Sequence, residues 1–185
     1  MNTILDIKSG KAQPWAALQL AAYSLLDAPA IFQRDGHRYA WDGRELESVT
    51  TILKAEGFID TTWFDDWNRD KGTAVHLACH YDDQGCLDED TIDPVIVPYL
   101  DGWRKFKRET GWVTEESEQP MMSTTYLYAG TPDAIGYLKG IKRAAVELRQ
   151  DGTYKLIPYK DRNDVNVWLA VLASHNWKRN NLGRK

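Results

Sequence analysis

The sequence predicts an α+β protein in which helices flank a mixed central β-sheet. Strands are indicated by alternating apolar and polar residues near the N-terminus and in "AVELRQDGTYKLIPY", where Asp151-Gly152 supplies a hairpin turn. Helices are indicated by apolar residues three and four apart from Trp15 onwards. A further helix is predicted over "KGTAVHLACHYDDQG", which ends at Gly85.

The same rules place the remaining elements in chain order. Asp42-Gly43 lies between alternating runs and predicts a second hairpin, and Ser48 is placed to cap the helix that ends at Gly57. Pro94 opens another helix, and a terminal helix begins at Asp164. The chain shows no internal repeat and no low-complexity segment.

Composition favours one domain over residues 1–185. The chain has 185 residues, 43% of them hydrophobic, which is enough for one sizeable core, and it has no long linker. No apolar run approaches the ~20 residues of a membrane helix, and the first residues have the pattern of a strand rather than of a signal peptide. We therefore expect a cytoplasmic protein with no membrane partner.

The first candidate site residues lie in the N-terminal run "NTILDIKSG". Strand periodicity puts Asp6 and Lys8 on one face and Ile7 on the other, and Ser9-Gly10 ends the strand. A carboxylate and an ammonium then stand side by side. An edge-strand ion pair of little energetic value is the alternative interpretation.

The helix after this strand carries a second pair. Gln19 and Tyr23 in "QLAAY" are four residues apart and share one stripe of the helix. An ordinary helix pair facing solvent is the alternative.

A third candidate lies in "TTYLYAGTPDAIGYLKG", at residues 124–140. Two alternating runs flank Gly130-Thr131-Pro132, which predicts a hairpin or bent strand with Asp133 just after the turn. Aspartates at such places often bond their own backbone instead of serving a site.

Together these motifs resemble the PD-(D/E)XK nuclease superfamily, and within it the RecB-like branch with its phage-type exonucleases. The matching segments are "GTPD", "DIK" and "QLAAY", to which His76 in "KGTAVH" and Glu118 in "EESEQP" add two further matches. The resemblance covers most of residues 2–177 and implies a restriction-endonuclease-like core, with residues 31–110 as the mostly helical N-terminal part of the family fold.

The order of the motifs departs from the family. There the acid-x-lysine strand and its helix follow the "PD" hairpin, whereas here residues 2–30 come first, and moving them between Gly140 and Ile141 restores the family order. We therefore expect residues 3–8 to form an interior strand beside a 126–138 hairpin. The join at Gly140 must span roughly 5–10 Å, which favours insertion of the strand into its own chain over a strand-swapped dimer.

The resemblance implies metal-dependent hydrolysis of phosphodiester bonds in DNA. Its implied catalytic residues are Asp6, Lys8, Glu118 and Asp133. The implied ligands of Mg²⁺ or Mn²⁺ are Asp6, the carbonyl of Ile7, His76, Glu118 and Asp133, and the implied DNA contacts are Lys11, Gln19 and Tyr23. Hard oxygen ligands suit these cations, and an adjacent lysine can orient the nucleophile and stabilise developing charge.

The net charge limits the ways in which the protein could bind DNA. A charge of −4 and a pI near 5.6 argue against a large nonspecific nucleic-acid surface, but a carboxylate site neutralised by divalent cations is compatible with them. The basic stretches at 103–109 and 176–185 can follow a phosphate backbone, or can be solvated surface.

Two further functions stay open. One is a nucleic-acid-binding module that keeps the nuclease fold with little turnover. The other is an interaction domain stabilised by zinc on His76, Cys79, His80 and Cys86. The sequence leaves open whether single- or double-stranded DNA is bound and whether the chain forms a homo-oligomer.

Overall fold

The computed structural model describes residues 2–33, 38–60 and 66–182 and confirms the α+β fold. The strands are β1 (Thr3–Lys8), β2 (Ala28–Pro29), β3 (Ile31–Gln33), β4 (Arg38–Trp41), β5 (Arg44–Leu46), β6 (Val113–Ser117), β7 (Met121–Met122), β8 (Ala129–Gly130), β9 (Ala134–Tyr137), β10 (Arg143–Leu148) and β11 (Tyr154–Pro158). The helices are α1 (Ala16–Tyr23), α2 (Val49–Ala55), α3 (Asp66–Gln84), α4 (Val97–Thr110) and α5 (Asn163–Asn181), with a 3₁₀ turn at Glu89–Thr91. Each of these helices is too short or too polar to cross a membrane.

The chain is divided between two compact units. The sheet unit contains the described residues of 1–13, 62–118 and 133–160, and the helical unit contains those of 14–61, 119–132 and 161–185. Each unit is assembled from three separate stretches of chain. A single domain over residues 1–185 stays a prediction.

The sheet unit is built on a mixed sheet whose described strands have the order β11-β10-β1-β9-β6. β1 is parallel to β10 and antiparallel to β9, so it lies in the interior although the chain begins with it. The predicted interior position of residues 3–8 is confirmed, and the alternative of a strand-swapped dimer stays open.

Alternation along β1 gives the sheet one apolar and one polar face. Leu5 and Ile7 are buried in a core with Trp103 and Phe106 of α4, which fixes the register because a shift by one residue would place Asp6 and Lys8 in this apolar core. Asp6 and Lys8 project to the opposite face. The predicted separation of the two faces of this strand is thus explained by its packing.

A tight turn at residues 138–141 lets the chain pass from β9 to β10 across the end of β1. Gly140 has φ +76°, a left-handed conformation that favours glycine, and Ile141 N–H donates to Leu138 O at 3.1 Å. The buried Thr3 hydroxyl donates to Ile141 O at 2.5 Å and accepts from Leu138 N–H at 3.1 Å. β1 is therefore bonded to the connection that spans it.

The hairpin predicted over 126–138 is wrong. β8 pairs with β7 in the helical unit, whereas β9 pairs with β1 and β6 in the sheet unit. The turn lies earlier, where Leu127 N–H donates to Ser123 O at 2.8 Å. Pro132 has no N–H with which to continue a ladder, so the chain leaves one sheet before Asp133 and enters another after it.

Local signals correctly predict the hairpin at Asp42-Gly43 and the start of α2. Asp42 and Gly43 have φ of 48° and 71°, as a type I′ turn requires, and join β4 to β5. Ser48 accepts a hydrogen bond from Thr51 N–H at 3.0 Å and caps α2. The stretch 31–110 contains α2, α3 and α4 as predicted, but it begins with the strands β3, β4 and β5.

Candidate metal centre

An ion pair between Asp6 and Lys8 on β1, in the sheet unit, forms the first part of the candidate site. Lys8 Nζ lies 2.6 Å from Asp6 Oδ1, and the Asp6 side chain is 1% exposed. Its other oxygen, Oδ2, is buried and has no hydrogen-bond partner among the described residues. A buried carboxylate oxygen without a donor is costly, and a bound cation would satisfy it.

Asp133 enters this site from the beginning of β9. The β1–β9 ladder ends with Leu5 opposite Ala134, and one step further along the same register Asp133 comes opposite Asp6. Ile7 N–H donates to Asp133 Oδ2 at 2.6 Å. The N–H and the carbonyl of a strand residue point to the same side, so the Ile7 carbonyl also faces the Asp133 side.

His76 and Glu118 complete a group of ligand atoms around Asp133. His76 Nδ1 lies 3.5 Å from Asp133 Oδ1 and 3.7 Å from Glu118 Oε1. One ligand atom from each residue lies within 4.8 Å of the other two. Two ligands at ~2.1 Å from one cation are roughly 3–4 Å apart, so this group fits a divalent ion with little movement.

Glu118 reaches His76 because the backbone turns at the end of β6. Glu118 has φ +54°, an uncommon conformation for a residue other than glycine, and its N–H donates to Asp133 O at 3.2 Å. The bond continues the pairing of β6 with β9, which places the two carboxylates on neighbouring strands. Strain of this kind is concentrated at functional sites.

The charges of the site influence one another strongly. Burial, offset by Lys8 and reinforced by Asp133, raises the pKa of Asp6 to about 6. Burial alone would lower the pKa of His76, but Asp133 and Glu118 raise it to about 9. Asp6 and Asp133 likewise outweigh the burial of Lys8 and raise its pKa. The carboxylates therefore favour the positively charged forms of Lys8 and His76, and the same negative potential would attract a metal cation.

The residues predicted to contact DNA are divided between the two units. Lys11 is exposed in the segment after β1, which is held where Ala12 N–H donates to Glu147 Oε1 at 2.7 Å. In the helical unit, Gln19 Nε2 donates to Tyr23 Oη at 2.9 Å. Both of these side chains are buried, so they are not a solvent-facing helix pair. Their contact with DNA stays a prediction.

The four residues of the zinc alternative do not form a cluster of metal ligands within the described ranges. Cys79 is buried in the apolar core, where burial raises the pKa of its thiol, and Cys86 is exposed. His80 Nδ1 lies 2.7 Å from Ser117 Oγ, whereas His76 faces Glu118 and Asp133. His76 and His80, although only one helical turn apart, therefore contact different partners.

Two of the four basic residues in the stretch 103–109, Arg104 and Lys107, pair with acids of α3 and of the 3₁₀ turn. Lys107 Nζ lies 2.7 Å from Asp82 and 2.6 Å from Asp83, and Arg104 pairs with Asp82 and Glu89. The pairs with Asp82 and Asp83 join α3 to α4, which argues against a phosphate-binding role for Arg104 and Lys107. In the stretch 176–185, residues 183–185 lie outside the described residues.

Sequence reasoning missed Glu147 and Ser117, which lie beside residues of the candidate site in the sheet unit. Glu147 stands beside Lys8 in the β1–β10 register and is buried. The signal available was a single acid in the apolar strand "RAAVEL". No such signal marks Ser117, because its partner His80 lies 37 residues away in sequence.

Comparisons of the chain with protein-family models, with curated proteins and with solved structures give no match. Function is therefore inferred from the residues of the sheet unit and from the motifs that they form.

Proposed function

We propose that this protein is a DNA nuclease of the PD-(D/E)XK type that uses Mg²⁺ or Mn²⁺ to hydrolyse phosphodiester bonds, and that it acts in the cytoplasm of a bacterial or phage-infected cell. One observation carries the proposal. The acid-x-lysine strand β1 lies inside the sheet with Asp133 hydrogen-bonded to it, and Asp133 in turn belongs to a group of three metal-ligand residues. A plain edge-strand ion pair would have neither neighbour.

The ligands for the cation are Asp133, Glu118 and His76. Asp6, with its unsatisfied buried oxygen, and the carbonyl of Ile7 add two oxygen donors from β1. Carboxylate and carbonyl oxygens with one imidazole suit Mg²⁺ or Mn²⁺. When bound, such an ion lowers the pKa of water and neutralises charge on a phosphate.

Lys8 acts on the reacting groups in this proposal. Its ammonium, held 2.6 Å from Asp6, is a donor for the attacking water and for the oxygen that gains charge as that water adds to phosphorus. As the P–O bond to the leaving sugar breaks, the attacking water loses a proton to solvent and the departing oxygen takes one up, so the products are a phosphate monoester and a sugar hydroxyl group. Asp6 thus orients the ammonium while its second oxygen stays available to the cation.

The partner in this proposal is single- or double-stranded DNA. A few specific side-chain contacts hold it near the site, and not the net charge of the protein. Net charge is −4, so a broad electrostatic surface is not what attracts the polymer. The family resemblance assigns the contacts to Lys11, Gln19 and Tyr23, and it favours attack from a strand end.

The test is cleavage of end-labelled DNA by the full chain after removal of metals and addition of Mg²⁺, Mn²⁺ or Ca²⁺. We expect cleavage with Mg²⁺ or Mn²⁺ and a loss of roughly 100-fold or more in Lys8→Ala, because a donor to the transition state is removed. Lys142→Ala, at an exposed position, is the control.

The outcomes separate the three functions. DNA binding without cleavage under every condition would select the module with little turnover. Undiminished cleavage by Lys8→Ala would contradict the proposed mechanism. Zinc retained stoichiometrically through purification, with no cleavage, would select the interaction domain.

A further inference from the structure

Successive polar contacts join α3 to β6 and lead towards the metal centre. In order, Asp83 Oδ2 accepts from Thr114 Oγ1 at 2.6 Å, His80 Nδ1 lies 2.7 Å from Ser117 Oγ, and His76 Nδ1 lies 3.7 Å from Glu118 Oε1. The first two contacts are made by hydrogen bonds. The third joins two of the proposed metal ligands.

We propose that Ser117 and His80 are positioning residues whose hydrogen bond holds His76 within reach of the cation, an inference that rests on the proposed metal centre. His76 and His80 are one turn apart on α3, about 6 Å along its axis. Ser117 and Glu118 are adjacent in the chain. The bond therefore fixes α3 against β6 directly beside the pair of ligands.

The ligands differ in how they are held. Glu118 and Asp133 are joined through the backbone, since Glu118 N–H donates to Asp133 O at 3.2 Å, so the sheet sets their separation. His76 comes from a helix whose buried residues nearby are Val75, Ala78 and Cys79. Apolar contacts are not directional and do not by themselves prevent small shifts of the helix along or about its axis. The ion pairs of Asp82 and Asp83 with Lys107 restrict such shifts near the C-terminal end of α3, about two turns beyond His76. The Ser117–His80 bond restricts that movement.

A displaced His76 would change the selectivity of the site as well as its affinity. Imidazole nitrogen favours Mn²⁺ over Mg²⁺, whereas carboxylate oxygen serves both ions. Loss of the Ser117 hydroxyl should therefore weaken Mn²⁺ binding more than Mg²⁺ binding. A general loss of stability would not discriminate between the two ions in this way.

The experiment is titration calorimetry of Mn²⁺ and Mg²⁺ into the metal-free full chain without DNA. We expect Ser117→Ala to raise the Kd for Mn²⁺ roughly tenfold, at the low end of what outer partners of metal ligands contribute. Ser117→Thr keeps the hydroxyl and should restore wild-type affinity. Thr73→Ala is the matched control, because this α3 hydroxyl bonds Arg69 O within its own helix.

His76→Ala supplies the background that separates positioning from general damage. In that background Ser117→Ala should leave the Kd for Mn²⁺ unchanged, because the ligand that it positions is gone. An equal loss in both backgrounds would overturn the positioning role, and so would unchanged Mn²⁺ affinity in Ser117→Ala alone. If the wild-type chain binds neither ion, the metal centre itself is overturned. If it binds Mn²⁺ as described but does not cleave DNA, the nuclease function is overturned and the positioning role is retained.

Discussion

Ile7 N–H donates a 2.6 Å hydrogen bond to Asp133 Oδ2, although 126 positions separate the two residues in sequence. The bond forms where the β1–β9 ladder has ended, so a side chain takes the place of the next backbone partner. It leaves the other oxygen of Asp133 directed at His76, 3.5 Å away. One carboxylate thus continues the sheet and offers its other oxygen as a proposed metal ligand.

Asp133→Asn should separate these two roles. The amide oxygen can still accept from Ile7 N–H, so the free energy of unfolding should stay within about 1 kcal/mol of the wild-type value. The charge that attracts the cation is lost, and Mn²⁺ affinity should fall by roughly 100-fold or more. Calorimetry and thermal melts of the metal-free protein measure the two effects.

Asp133→Ala supplies the comparison, because it removes the acceptor as well as the charge. Its additional cost should be about 1–3 kcal/mol, since Ile7 N–H is then left without its partner. Equal stability of the two variants would contradict the structural role assigned to the bond.

The two titrating groups of the site should lower the stability of the metal-free protein as pH rises from about 5 to 9. His76 has its pKa raised to about 9, so its contribution is complete below about pH 6.5 and is lost as pH passes through 9. Asp6 has its pKa raised to about 6, so its protonated form favours folding below about pH 4, and that contribution is lost as pH passes through 6. The two effects have the same sign and, at about 1.4 kcal/mol per pKa unit, should together reach several kcal/mol.

Divalent cations should reverse this trend, because metal and protons compete for the same atoms. We expect Mn²⁺ to raise the Tm strongly at pH 8 and weakly at pH 5, as measured by thermal melts in chelator and in excess Mn²⁺. His76→Gln should flatten the fall in metal-free stability between pH 7 and pH 9. A metal-free Tm that rises over this range would contradict the charge arrangement described for the site.

Thr3→Val tests how β1 is held under the crossing connection. Valine keeps the shape and the strand preference of threonine but removes the hydroxyl that bonds Leu138 and Ile141. We expect a loss of about 1–3 kcal/mol in the free energy of unfolding, because Leu138 N–H is left without this acceptor. Thr3→Ser keeps the hydroxyl and should recover much of this loss in denaturant titration.

Much of the fold could be predicted because its signals are local. The turns at Asp42-Gly43 and Asp151-Gly152, the cap at Ser48 and the end of α3 at Gly85 each depend on a few adjacent residues. The interior position of β1 is not local. It was predicted because the order of the family motifs implied a neighbour for the strand.

The errors and omissions depend on partners distant in the sequence. The run at 124–140 has the pattern of one hairpin, but β8 and β9 find other strands in two different sheets. The alternation of apolar residues does not specify which strand is the partner. The Ser117–His80 bond could not be predicted from a sequence pattern either, because its two residues are 37 positions apart.

Gly136→Ala tests whether the close approach of β6 and β9 is what builds the metal centre. A Cβ at this position would lie 2.1 Å from Val113 O and 2.8 Å from the Trp112 ring, so the two strands would have to separate. We expect a loss of roughly 3 kcal/mol in the free energy of unfolding, at the upper end for overpacking. Because the same pair of strands brings Glu118 beside Asp133, Mn²⁺ affinity should fall as well in the fraction that stays folded. Gly10→Ala is the matched control, since nothing lies within 4 Å of its added Cβ.

Denaturant titration of both variants gives the free energy of unfolding, and calorimetry at low temperature gives the Mn²⁺ affinity. Loss of stability with unchanged Mn²⁺ affinity would show that Glu118 does not need this strand pairing to reach the cation.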